Sequence, residues 1–324
     1  MTAVSDPFRG RPFDTTAVVM REPHHVELSR LTLTPATDAD IVVDIAFSGI
    51  STGTEKLLWD GRMPQFPGMG YPLVPGYESV GTVIAAGHAS GHAIGETVFV
   101  PGAKCYGDVR GLFGGAASRV VVAGDRVLSL PGDPDEENVL FALAATALHV
   151  TQAPGAVQPD LIIGHGVLGR MIARIAVALG AEPVVWETNP VRREGATGYR
   201  VIDPAADQRR DYRCICDVSG AGDLLDRLIG HLAPGGELVL AGFYDQALSF
   251  QFAPAFMREA RLRIAAQWQP QDLQAVQQMV DSGRLSLAGL VTHRSTPGQA
   301  GEAYETAFSD PACLKMVLDW RHPQ

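Results

Sequence analysis

Gly164-His165-Gly166-Val167-Leu168-Gly169 spaces three glycines as G-x-G-x-x-G, directly after the apolar run 161–163 and at the head of a second apolar stretch. A carboxylate, Glu187, ends the next apolar run about 20 residues on. Residue types at this spacing serve a dinucleotide. Gly164 permits a tight turn, Gly166 lets backbone approach a pyrophosphate, and Gly169 lets a helix pack close to the preceding strand. The helix start offers unpaired N–H groups and the positive end of its dipole to phosphates. Glu187 suits ribose hydroxyls and repels a 2′-phosphate, which favours NAD over NADP. Arg192 and Arg193 pull the other way, because a nearby arginine accommodates that phosphate, unless both form the solvated face of a following helix. His165, Val167, Leu168, Ser219 and Gly242 complete the candidate cofactor contacts. The competing reading is a glycine turn in an α/β domain that takes no cofactor.

Elements of two kinds must hold this turn in place. After 131, segments 160–163, 183–186, 200–202, 214–218 and 237–241 are apolar runs of strand length. Between them, 136–151, 167–179 and 224–232 carry helical apolar spacing. Strands alternating with helices predict βαβ units and a parallel sheet. Before 131 the texture differs. Segments 16–20, 41–47, 80–85, 97–100 and 118–122 are short β-branched runs punctuated by Gly and Pro, which predicts a small β-barrel or sandwich-like domain. Near the end, 273–282 reads as a helix and 314–320 as a strand.

Composition narrows the function classes. The 324 residues, 46% hydrophobic and 19% charged, suffice for two globular domains. A net charge of −10 disfavours nucleic acid and anionic membrane surfaces as partners. No apolar run reaches the ~18 residues of a membrane span. The N-terminal 1–11 is polar and lacks a signal-peptide core, so a cytoplasmic location is expected. Cys105, Cys214, Cys216 and Cys313 include no second pair at zinc-site spacing and read as buried, reduced thiols.

Short landmarks recur along the chain: Gly49-Ile50-Ser51, Pro75-Gly76-Tyr77-Glu78-Ser79-Val80-Gly81, Gly95-Glu96-Thr97-Val98, Gly114-Gly115-Ala116-Ala117-Ser118, Asp217-Val218-Ser219-Gly220 and Pro234-Gly235-Gly236. With the order of its elements, the chain resembles the medium-chain dehydrogenase/reductase superfamily over nearly its whole length. The resemblance implies an α/β fold. A GroES-like β-barrel catalytic domain would cover 1–131, and a Rossmann doubly wound parallel-sheet domain would bind NAD over 132–267. A C-terminal return to the catalytic domain would cover 268–324.

Zinc-dependent members of that superfamily hold their metal with a Cys, a His-Glu pair and a later Cys. The corresponding positions here are Ser51, Tyr77 with Glu78, and the apolar stretch 142–145. Zinc needs about three or four good ligands, and only Glu78 qualifies, so no catalytic metal is expected. A side chain must then take or relay the alcohol proton. Tyr77 is the first candidate, because the family points a ligand at the substrate from there. Glu78 is a second, as base or orienter. Ser51 and Thr54 are candidates to bond the substrate oxygen, and His149 to relay the proton. Against these stand plainer roles: Tyr77 filling the metal's volume, His149 as a satisfied core histidine, and orientation with cofactor alone supplying the rate.

The stretches 48–55, 59–64 and 66–72 are more specific. They resemble the bacteriochlorophyllide a dehydrogenase family, which oxidises the 3-(1-hydroxyethyl) group of a magnesium chlorin to 3-acetyl with NAD. A chlorin macrocycle as substrate follows from that resemblance alone; the residues by themselves reach only hydride transfer with an alcohol or carbonyl. Trp59, Arg62, Met63, Phe66, Met69 and Tyr71 lie in a Gly- and Pro-rich loop expected to leave them open to a flat apolar ligand. The alternative is a loop packed against the second domain. Lys56, Arg62 or Arg110 would pair with a propionate. Competing functions are a zinc-free quinone oxidoreductase or enoyl reductase of the same superfamily, and a non-catalytic NAD-binding sensor. A homodimer is a further expectation.

Overall fold

The computed structural model describes residue 8 and residues 12–152, 155–265 and 267–321. The polar N-terminal stretch read above lies, Phe8 apart, outside the described residues. The chain divides into two compact units, Met1–Ala142 with Ala288–Gln324, and Leu143–Leu287.

The first unit is built on the strand Asp40–Ile50. Its Ile41, Val42, Val43, Ile45 and Phe47 are β-branched or aromatic and buried, as a strand packed on both faces requires. Ser79–Ala86 and Arg119–Ala123 pair with it in antiparallel fashion, and Thr97–Val100 and Leu128–Leu130 extend the sheet beyond Ser79–Ala86. On the opposite edge Met316–Asp319 lies antiparallel to Asp40–Ile50 and is followed by His293–Ser295. A second sheet runs His25–Thr32, Asp14–Glu22, Leu73–Pro75, Arg110–Leu112. Val18, Met20, Val43, Leu73, Val83 and Val120 join both sheets in one core, as a GroES-like barrel needs.

The second unit carries a six-stranded parallel sheet. Its order is Arg200–Ile202, Val184–Trp186, Leu161–Ile163, Tyr212–Asp217, Leu232–Leu240, Arg261–Ile264. In chain order this is 3-2-1-4-5-6, the doubly wound arrangement, with the chain reversing direction beside Leu161–Ile163. The helix Val167–Ala178 follows that strand and buries Met171, Ile172, Ile175 and Ala176. The expected helix after Glu187 is only a 3₁₀ turn, Pro190–Arg193, capped by Asn189.

The unit boundaries differ from those read in the sequence. Val139 and Leu140 are buried and Phe141 packs on Phe99, which carries the first unit past 131. The helix Pro270–Asp281 stays with the second unit, where Asp272 meets His149 on the helix Phe141–Gln152. All four cysteines are buried, and none forms a disulfide among the described residues. Among the described residues no helix is long and apolar enough to cross a membrane.

Candidate active site

In the first unit the chain leaves Asp40–Ile50 through Ser51 and enters the short helix Thr54–Trp59. Tyr77 follows Leu73–Pro75 and arrives beside it: the Tyr77 hydroxyl lies 2.6 Å from Ser51 Oγ and also bonds the Thr54 side chain. Three of the candidate residues are thus brought together. Burial, reinforced by the Glu78 charge, pushes the Tyr77 hydroxyl well above the usual tyrosine range. The group keeps its proton at neutral pH, and suits orienting or passing a hydrogen bond better than acting as a free base.

Glu78 is engaged elsewhere. It is fully buried, and its Oε2 receives Lys315 Nζ at 2.5 Å, while Lys315, itself 1% exposed, also donates to the Ile50 carbonyl at 3.2 Å. Burial raises the Glu78 carboxyl and the Lys315 ammonium opposes that rise. Among the described residues its Oε1 has no hydrogen-bond partner. The pair needs the space left by Gly49, where a Cβ would come within 2.5 Å of Glu78 Oε2. With Glu78 held by an ammonium and only hydroxyls at Ser51 and Tyr77, this donor set does not fit zinc. Among the described residues no three His, Cys, Asp or Glu side chains gather as metal ligands. His149 belongs to the second unit, where its Nδ1 lies 2.9 Å from Asp272 Oδ2.

The loop expected to display apolar residues mostly buries them. Helix formation at Thr54–Trp59 turns Leu57, Leu58 and Trp59 inward, and Trp59 stacks on Tyr304 with centroids 5.9 Å apart. Met63 is 5% exposed in the same core. Met69 and Tyr71 pack partly buried against it, and the Tyr71 hydroxyl donates to the Leu58 carbonyl. Arg62 pairs with Asp60 at 2.6 Å, Lys56 donates to the Phe308 carbonyl at 3.2 Å, and Arg110 to the Tyr71 carbonyl at 3.2 Å. Of the loop's candidates only Phe66 presents an open apolar face. Trp59 is a core residue because the helix Thr54–Trp59 presents it inward, and Met63 packs into the same core from the segment that follows.

Three residues near Tyr77 were missed from sequence. Phe113 stands edge-on to the Tyr77 ring at 5.6 Å with its other side exposed. Glu55 is buried on the helix, its Oε1 accepting the Ser51 N–H at 3.0 Å and its Oε2 the Tyr304 hydroxyl at 2.6 Å. Lys315 is the third. Phe113 adjoins the landmark 114–118, a local signal; Glu55 and Lys315 meet partners far along the chain and gave none.

In the second unit the glycine turn has the expected geometry. Gly164 adopts φ +100°, and a Cβ on Gly169 would lie 1.9 Å from the Gly164 carbonyl oxygen, so the helix packs against the turn only without a side chain. Gly166 caps Val167–Ala178, no side chain caps it in turn, and a Cβ there would meet nothing within 4 Å. An open approach to uncapped helix N–H groups fits a pyrophosphate. Ser219, whose hydroxyl donates to buried Asp217 at 2.6 Å, brings its Cα to 3.5 Å from a Cβ built on Gly164. Gly242 adjoins Gly220 in the same way. The loops after three strands therefore converge on the turn.

Glu187 ends Val184–Trp186 with both oxygens occupied by backbone: the His165 N–H at 3.0 Å and the Asn189 N–H at 2.8 Å. The His165 side chain is turned inward. Its Nδ1 reaches the Arg192 carbonyl at 2.6 Å and its Nε2 the Tyr199 hydroxyl at 2.8 Å. Burial pushes this imidazole down to about 4, so it is neutral and holds the loop instead of touching a ligand. Arg170 Nη2 donates to the same carbonyl and to Glu194, and Arg193 pairs with Asp203 at 3.2 Å.

Residues 37–132 match the alcohol dehydrogenase GroES-like domain. Over 310 residues, 95% of this chain and 99% of the relative, the sequence is 56% identical to the 2-desacetyl-2-hydroxyethyl bacteriochlorophyllide A dehydrogenase of Rhodobacter capsulatus. The chain belongs to the medium-chain dehydrogenase/reductase superfamily, in the same family as that enzyme. The Cereibacter sphaeroides dehydrogenase of the same name is 55% identical over 95% of this chain and 98% of its own. Among solved structures, L-idonate 5-dehydrogenase from Escherichia coli superposes with a TM-score of 0.83 at 19% identity, over 95% of this chain and 99% of that one. Acetophenone reductase from Geotrichum candidum, in complex with NAD, gives 0.81 at 18%, over 95% and 98%. These likenesses carry the fold of the superfamily across both units.

Proposed function

We propose that the protein oxidises the 3-(1-hydroxyethyl) group of a bacteriochlorophyllide or chlorophyllide a precursor to 3-acetyl, with NAD and without zinc, in bacteriochlorophyll a synthesis. The observation that carries this reading is identity of 56% to a dehydrogenase of that name across 99% of its length. The residues present support it. Oxidising the alcohol sends a hydride from carbon and a proton from oxygen to separate acceptors. A nicotinamide bound at the glycine turn supplies the hydride acceptor. Tyr77, held by Ser51 and Thr54, offers a hydroxyl that can bond the alcohol oxygen and orient it while its proton is released to solvent. Phe113 and Phe66 supply exposed aromatic faces in the first unit, suited to a flat ring. Glu187 supports NAD, since its carboxylate repels a 2′-phosphate.

The decisive experiment incubates purified, chelator-treated protein with NAD and a 3-hydroxyethyl chlorin. Acetyl product with stoichiometric NADH supports the proposal. NADPH-dependent quinone reduction in its place, or cofactor binding without turnover, removes it, and stoichiometric zinc required for activity removes the metal-free part.

The quaternary proposal is a homodimer formed at the sheet edge of the second unit. Arg261–Ile264 is the last strand of its sheet, and Phe252, Phe256, Met257 and Ile264 beside it are 72, 64, 77 and 70% exposed. Among the described residues no strand pairs with its outer edge, and an edge flanked by so much apolar surface suits a second copy. The net charge of −10 supports a cytoplasmic protein that does not settle on anionic membranes.

A further inference from the structure

The reaction as described leaves Glu55 without a role, although it is among the most deeply buried charged residues in the protein. Among the described residues no ion pair reaches it. Its two oxygens take one backbone N–H, from Ser51, and one hydroxyl, from Tyr304. Enclosing a carboxyl with so little compensation is costly, and its helix neighbours Leu57, Leu58 and Trp59 show that the local packing is apolar. The contacts it makes are nevertheless short and directional. Tyr304 lies on the helix Ala300–Ser309, is fully buried, and is itself wedged against Trp59 and Phe308. From it a continuous chain of hydrogen bonds runs through Glu55 and Ser51 to the Tyr77 hydroxyl, with steps of 2.6, 3.0 and 2.6 Å.

We propose that Glu55 is a positioning residue: it fixes the Ser51 backbone so that the Ser51 hydroxyl meets Tyr77, with Tyr304 bracing the carboxyl from the other side. The proposal rests on the reading of Ser51 and Tyr77 as the polar pair of the reaction. Ser51 sits where strand gives way to helix, and no helical hydrogen bond consumes its N–H. Glu55 supplies that partner from four residues on, and so sets which way the serine faces. Burial raises the carboxyl from 4.5 to about 7, with Glu78 adding to the rise and the Tyr304 and Ser51 hydrogen bonds and Lys315 opposing it. The Tyr77 hydroxyl also feels the Glu55 charge, which helps to raise it.

The test compares Glu55→Leu and Glu55→Gln with the native protein, reading kcat and KM on a 3-hydroxyethyl chlorin, NADH affinity by fluorescence, and melting temperature between pH 5 and 8. Glu55→Leu is expected to lose roughly tenfold to a hundredfold in kcat with KM and NADH affinity little changed, as for a displaced reacting group. Glu55→Gln keeps an acceptor for the Ser51 N–H and should recover most of that rate. A carboxyl raised in the folded state withdraws stability as pH rises from its free value through its folded one. The native melting temperature should therefore carry a downward component between pH 5 and pH 7 that Glu55→Gln lacks. Native turnover in Glu55→Leu overturns the proposal, and so does equal loss in Leu and Gln variants, the mark of packing alone. If Glu55→Leu does not fold, an unchanged melting profile in Glu55→Gln overturns it instead. A native protein inert toward the chlorin would fail the functional reading, while the melting comparison, which needs no substrate, still decides whether Glu55 holds the engaged, buried position assigned to it.

Discussion

Lys315 Nζ sits 2.5 Å from Glu78 Oε2 with both side chains sealed from solvent, a full ion pair in the interior of the first unit. Removing one member of such a pair strands the other. Lys315→Met should destabilise the protein by about 3–5 kcal/mol, and Glu78→Leu combined with Lys315→Met should recover most of that loss. Urea unfolding of the single and double variants checks it; additive losses would show that the two groups are not coupled.

Two glycines of the same turn should respond oppositely. Gly169→Ala places a Cβ within 1.9 Å of the Gly164 oxygen, so the turn or helix must shift and the melting temperature should fall. A Cβ added at Gly166 meets no protein atom within 4 Å, so Gly166→Val should fold while losing NADH affinity at least tenfold. Fluorescence titration and thermal melting read the two effects separately; undiminished NADH binding in Gly166→Val would move the phosphate site elsewhere.

Glu187→Ser should shift the ratio of NAD to NADP affinity toward NADP. Because Glu187 also receives the His165 and Asn189 N–H groups, both affinities should weaken as the turn loosens. A ratio unchanged within error would mean that the ribose is read by other residues.

Tyr77→Phe keeps the ring against Phe113 and removes only the hydroxyl bonded to Ser51. We expect kcat to fall about 10²-fold or more with NADH affinity unaltered, the usual reach of a positioned proton-handling group. Survival of near-native turnover would reduce Tyr77 to filling space.

At the sheet edge, Ile264→Lys introduces charge where the exposed side chains are apolar. Sedimentation should show a dimer for the native protein and a monomer for the variant. A native monomer at micromolar concentration would end the homodimer proposal.

The sequence was most informative where function and local geometry coincide. Gly164, Gly166 and Gly169 declared a strand, a turn and a helix because each answers a steric demand within six residues. Ser51, Thr54 and Tyr77 were found together because the family pattern marks their positions. Trp59 and Met63 were misread because Gly and Pro nearby suggested an open loop, whereas Thr54–Trp59 forms a helix that turns Trp59 into the core and Met63 packs into that core just beyond it. The strand Arg261–Ile264 escaped notice because alternating arginines mask its apolar face. Glu55 and Lys315 were illegible for another reason. Their meaning lies in partners 249 and 237 residues distant, and no local pattern encodes such a meeting.

That distance fixes when the protein can begin to work. Tyr304 and Lys315 leave the ribosome after the whole dinucleotide sheet, and both close onto groups made well before it. A nascent chain holding the entire dinucleotide sheet would still carry two buried carboxyls awaiting their partners. Competence should therefore arrive abruptly, once both late partners have emerged. A premature stop after the second unit would yield a polypeptide able to capture nucleotide yet left with an unfinished proton-handling site, an idle binder instead of a slow enzyme.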